Sequence, residues 1–175
     1  MNLSEQHRKF FRNEQFIYAF LINVVINGAI AGLILRGNDQ IPLWGDAAMA
    51  PDLLATGVLL PLLMTVIVSR VITGQVERGK LPPLTSELIP PRGLHQKSSV
   101  VRGLVLATFG TLCASVPLVV MLDLTQAQPI AYGTFVSFKA LWGGALAAVL
   151  SPPLAWWALC AASLEAPVPA DAATG

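Results

Sequence analysis

Charge is scarce in this sequence. Only 12% of the 175 residues are Asp, Glu, Lys or Arg and 54% are hydrophobic, whereas an average soluble domain is about 25% charged. That composition excludes a water-facing surface over most of the chain and points to one membrane-embedded unit. Charge of one sign is lacking too. The formal net charge is +1, and the basic residues fall in two clusters rather than a stripe with interleaved aromatics, which argues against nucleic acid as a partner. Cys113 and Cys160 both lie in apolar runs and at different expected depths, so a disulfide is not expected. Histidine is limited to His7 and His95, in separate segments with no acidic or cysteine neighbour at ligand spacing, and each reads as a solvated side chain. The chain has no Gly-rich phosphate loop, no HExxH, no paired carboxylates within a helix and no nucleophile elbow. We therefore expect no enzyme chemistry, no metal and no cofactor. Asp46, Asp52 and Asp123 read as solvated loop carboxylates.

What is present is a set of long apolar runs. Residues 16–35 hold no charge, and at about 1.5 Å per residue they cross the roughly 30 Å hydrocarbon core. Ala29-Ile30-Ala31 resembles a signal-peptide cleavage site, but the apolar run continues past it, so an uncleaved first span is expected. Further spans are expected at about 53–72, 101–122 and 139–159. The last boundary puts Trp142 at one interface, Trp156 and Trp157 at the other, and lets Lys139 snorkel to the edge, while Trp44 rests at the interface from the first connection. The opposite register would sink Lys139 about a third of the way into the core at up to roughly 2.5 to 3.5 kcal/mol. Residues 1–15 are expected as a short amphipathic helix on the membrane surface, with Asn2 and Glu5 as its capping box. Residues 164–175 are expected as a disordered tail.

The segment from Ser69 to Gly103 carries Arg70, Arg78, Lys80, Arg92, Lys97 and Arg102, and the N-terminal segment adds Arg8, Lys9 and Arg12; together these are nine of the eleven basic residues. The positive-inside rule then places both termini and the 73–100 loop in the cytoplasm of a multi-pass plasma (inner) membrane protein. The expected fold is an all-α integral membrane protein, its four transmembrane helices forming two hairpins joined by that basic loop. Two diproline segments within residues 80–92 favour extended polyproline geometry. They read as a stiff linker against anionic lipid, with docking of a cytoplasmic partner as the alternative.

Polar residues inside the spans are the candidate functional groups. Asn23 and Asn27 share one helical face, and Gly28 with Gly32 forms a GxxxG beside them, the pattern by which two helices approach closely. Pro61, Pro117, Pro152 and Pro153 each deprive a carbonyl four residues earlier of its donor. The freed carbonyls lie near mid-depth, as do Thr108, Thr111, Ser115 and Ser151. Two functions follow as expectations. The first is a non-enzymatic protein acting through helix packing, as a homo-oligomer or a small subunit of a membrane complex. The second is a small-solute transporter whose site gathers those asparagines, hydroxyls and carbonyls at the midplane.

Overall fold

The computed structural model describes residues 3–166. Four helices carry the fold: α1 Glu5–Ile34, α2 Met49–Glu77, α3 Ser99–Leu124 and α4 Tyr132–Glu165, each long and apolar enough to cross a membrane. This is compatible with a membrane location. A two-residue antiparallel pair joins the first and third connections, β1 Gln40–Ile41 against β2 Ile130–Ala131, with Gln40 opposite Ala131 and Ile41 opposite Ile130.

The helix ends follow from local chemistry. Ser4 caps α1, its Oγ accepting from the His7 amide at 3.3 Å, in place of the expected box at Asn2, which lies outside the described residues. The N-terminal segment is not a separate surface helix. It runs unbroken into the apolar span through wide π-type turns over Phe10–Tyr18, because no Gly or Pro interrupts residues 4–27. The first amides of α2 are met by the loop before it, Met49 donating to Pro42 O at 2.9 Å and Ala50 to Leu43 O at 3.0 Å. At its other end α2 runs past the expected boundary at residue 72 to Glu77. It stops where Gly79 adopts φ +66° and Lys80 N donates back to Gln75 O, a glycine-terminated C-cap. In α3 the ladder widens to π-type turns over Thr111–Ser115 immediately before Pro117, where the proline removes a donor. The expected tail begins helically, since α4 extends to Glu165; residues 167–175 lie outside the described residues.

Packing makes α4 the central helix. Its apolar window is 61% buried, against 17% for α1, since its glycines and alanines let neighbours approach from several sides. α1 lies antiparallel along α4, α3 antiparallel along α2, and α2 parallel to α4. Thus α1 and α2, consecutive in sequence, are not a packed pair.

The basic loop packs onto the ends of the helices. Leu81 and Leu84 are buried against Phe10, Ile72 and Leu159. Three hydrogen bonds tie the loop to the helix ends: Gln6 Nε2 donates to Lys80 O at 2.7 Å, His7 Nε2 lies 2.9 Å from Pro82 O, and the Leu84 amide donates to Ser163 Oγ at 2.9 Å. A carbonyl can only accept, so Nε2 of His7 carries a proton. Both histidines differ from the solvated residues expected: His7 is 5% exposed and His95 4%. Each is covered where the loop folds onto the bundle.

Candidate functional site

The polar residues predicted to gather at mid-depth are sorted into separate seams. On α1, Asn23 and Asn27 are buried toward α4. Each returns its amide to its own helix, Asn23 Nδ2 to Ala19 O and Asn27 Nδ2 to Asn23 O, both at 2.9 Å. Across the seam Asn27 rests on Gly143, where a Cβ would collide with its side chain, and Gly144 admits Val24 and the Phe20 carbonyl. The GxxxG face is used in the same seam. A Cβ on Gly28 would lie 3.1 Å from Ala140 Cβ, and Tyr132 Oη donates to Gly32 O at 2.6 Å. The motif therefore joins α1 to α4 within one chain.

The second seam joins α2 and α3. Pro61 leaves the Gly57 carbonyl without its helical donor, and that carbonyl faces Gly110, at 3.4 Å from where a Cβ would stand. Thr111 Oγ1 and Ser115 Oγ crowd the same Gly57, at 3.1 Å and 2.5 Å from its built Cβ, and both hydroxyls are buried with no partner among the described residues. Thr65 Oγ1 donates to Pro61 O at 2.7 Å. Thr108 is exposed on the outer face of α3 and Cys113 beside it likewise. Pro153 is exposed and Pro152 half-buried, so neither joins a polar cluster.

Lys139 does not snorkel. It is 2% exposed and forms an ion pair with Asp52 from the first turn of α2. The pairing answers its charge inside the protein. Asp52 is accordingly not a freely solvated carboxylate. The tryptophans divide: Trp44 is exposed and donates Nε1 to Asp123 Oδ1 at 2.8 Å, whereas Trp142 Nε1 is buried without a partner among the described residues. Trp156 stacks near Phe11, ring centroids 6.2 Å apart, and Trp157 packs at the edge of the central core.

The most apolar-walled opening in the bundle is a cleft between α1 and α2. A cavity of about 430 Å³ lies there, with Ile22 and Ile26 on one wall and Leu60, Leu63 and Ile67 on the other. Its floor is polar, because Ser151 Oγ of α4 donates to Gln15 Oε1 at 2.8 Å and Asn23 stands beside them. At the basic end the cleft opens into a shallower hollow of about 650 Å³ lined by Lys9, Asn13, Gln75 and Lys80, with Glu14 bordering both. Gln15 was missed by the sequence reading. Its spacing of eight from Asn23, itself four from Asn27, marks one polar row along α1.

The cleft has no nucleophile paired with a base, and no group of three or more His, Cys, Asp or Glu able to hold a metal occurs among the described residues. Its walls are apolar and its floor is polar and hydrogen-bonded. The residues expected to set topology stay together at that end: Arg8, Lys9 and Arg12 on the first turns of α1, Arg70 near the end of α2 and Arg78 just past it, and Lys80, Arg92 and Lys97 on the loop. Arg102 is the exception, being buried in α3. No protein-family model, curated protein or solved structure matches this chain, so its site is defined by its own geometry.

Proposed function

We propose that this is a non-enzymatic multi-span membrane protein that works through helix packing, as a homo-oligomer or a small subunit of a membrane complex. In this reading the basic end faces the cytoplasm of the plasma membrane, as the positive-inside rule requires. The observation that carries it is that α1 makes its extended packing along α4 and shares a buried cluster with α2 at the basic end through Phe10, with the apolar cleft toward α2 open beyond that contact. Such a helix has a free lateral face, and a transmembrane helix from a second subunit is the element that fits such a face. The GxxxG face, already committed to α4, is not the docking surface. Nor is the first diproline segment, whose flanking leucines are buried; the exposed stretch around Arg92 is what remains for a cytoplasmic partner.

The test is the mass of the gently solubilised complex, corrected for detergent, with co-purifying chains identified. A defined oligomer or stoichiometric partner is expected, lost in the cleft-filling variants Ile26→Trp and Ile67→Trp. A monomer without partners would overturn the reading.

The transporter reading keeps one supporting observation, the two unpartnered hydroxyls of Thr111 and Ser115 beside the Gly57 carbonyl. Replacing them by Val and Ala separates the two. Assembly unchanged and solute flux abolished would favour transport; a protein that assembles and shows no flux before or after the change would not.

A further inference from the structure

At the basic end of the bundle, one turn beyond the central core, α3 buries a cation. Arg102 is 7% exposed, and its Nε and Nη1 have no hydrogen-bond partner among the described residues. Leu106, four residues on, packs with Met64 and Leu154 between α2 and α4, so Arg102 enters the same junction one turn nearer the loop. Two more orphaned polar atoms occur on the elements around it. His95 is 4% exposed, with Nε2 buried and unpartnered, in the 3₁₀ turn Leu94–Gln96 that packs on α4 just before α3 begins. Ser69 Oγ is buried and unpartnered on α2, one turn beyond Thr65, which touches Gly103. The Arg102 guanidinium, His95 Nε2 and Ser69 Oγ, on neighbouring elements, are thus left without partners among the described residues.

Buried donors of this kind are nearly always paired in folded proteins, and an unpaired guanidinium is the costliest of them. The carboxylate whose charge acts on Arg102 is Glu165, at the end of α4; it makes no ion pair with it within 4.0 Å. The missing partner must accept several hydrogen bonds and carry negative charge. A phosphate does both, matching the planar fork of arginine and the single donors of serine and histidine. The location agrees, since this end carries the basic residues that would meet anionic headgroups, and the start of α3 adds the positive end of its helix dipole.

We propose that Arg102, His95 and Ser69 form a binding site for a phosphate-class anion at the junction of α2, α3 and α4. The anion is either the headgroup phosphate of an anionic lipid or a free phosphate. Glu165 works against it electrostatically and sets how tightly it is held.

The test uses full-length protein in detergent, carrying ¹⁵N-labelled arginine side chains, titrated with inorganic phosphate and separately with lyso-phosphatidylglycerol, and with lyso-phosphatidylcholine as the control lipid. One arginine Nε–H resonance is expected to shift saturably. Its absence in Arg102→Lys identifies it, because that variant keeps the charge and lacks the fork. Arg102→Met should weaken binding at least tenfold, whereas Glu165→Gln should tighten it severalfold. Saturation by the glycerol lipid at concentrations at least tenfold below inorganic phosphate assigns a headgroup; equal response assigns a free anion; both sustain the site. No saturable shift with either ligand in the wild-type protein overturns it, and this readout does not depend on any variant folding. A response that appears only after residues 167–175 are removed also overturns it, since the site would then belong to the chain's own tail.

Discussion

Two residues on α4 bear most directly on how the bundle is held. Lys139 and Asp52 neutralise each other in the interior, and removing one partner leaves the other as an uncompensated buried charge, typically destabilising by about 3 to 5 kcal/mol. Lys139→Met alone should therefore lower the detergent-unfolding midpoint sharply. The double change Lys139→Met with Asp52→Leu should recover most of that loss, because apolar replacement of a buried pair is often neutral. If the double variant is as unstable as the single one, the pair is not what holds these positions. Gly143 poses a steric question instead. A side chain there collides with Asn27, so Gly143→Val should separate α1 from α4 and cost at least the roughly 1 to 3 kcal/mol of overpacking. Gly133 on the same helix has nothing within 4 Å of its built Cβ, and Gly133→Ala should be neutral in the same unfolding assay. Equal effects would mean the seam is looser than the geometry indicates.

At the scale of elements, the four helices were legible because each is apolar over a long stretch and, at 26 to 34 residues, exceeds the length a bilayer requires. Their ends were less so. Hydropathy reads the part of a helix that lies in hydrocarbon, whereas α2 and α4 continue beyond it as half-buried helix, to Glu77 and from Tyr132. GxxxG was legible as a packing face, but its partner was not, since nothing local to Gly28 announces Ala140 and Tyr132 over a hundred residues away. The same holds for Lys139: its environment depends on Asp52, 87 positions earlier. The midplane residues divide between seams for a rotational reason. Depth along each helix places Thr108 and Ser151 near Asn27, yet helix rotation turns Thr108 outward and gives Ser151 to Gln15. The burial of the basic loop's leucines was not legible beside its prolines and charges. The loop's attachment to α1 predicts a measurable opening. Gln6→Ala with His7→Ala removes two hydrogen bonds to Lys80 O and Pro82 O, worth about 1 kcal/mol each. Tryptic cleavage after Lys80 should accelerate roughly thirtyfold, on the opening equilibrium that such a loss implies. An unchanged rate would show that the buried Leu81 and Leu84 hold the loop without them.

For the whole molecule, the charge distribution makes a directional statement that the packing supports. The early turns of α1, the late turns of α2 and the loop lie at one end, joined through Gln6, His7 and Phe10, and they hold Arg8, Lys9, Arg12, Arg70, Arg78 and Lys80. The other end is tied together by β1 with β2 and by Trp44 with Asp123, and it carries Asp39, Asp46 and Asp123. In the proposed membrane reading such a unit has two orientations to choose between, and the positive-inside rule predicts the one with the basic end in the cytoplasm. Single cysteines at exposed positions of each end, Arg78→Cys and Asp39→Cys, in a background with Cys113 and Cys160 changed to alanine, test that choice. A membrane-impermeant maleimide applied to right-side-out vesicles should label Asp39→Cys only, and inside-out vesicles should reverse the pattern. Labelling of both from one side would contradict a spanning bundle, since these two positions stand at opposite ends of helices long enough to cross the core. Reversed labelling would keep the bundle and turn it over, placing the anion site and the polar mouth of the cleft outside the cell. A subunit fed by cytoplasmic partners or inner-leaflet lipid could not work in that orientation, so this one measurement bears on the packing proposal and the anion site together.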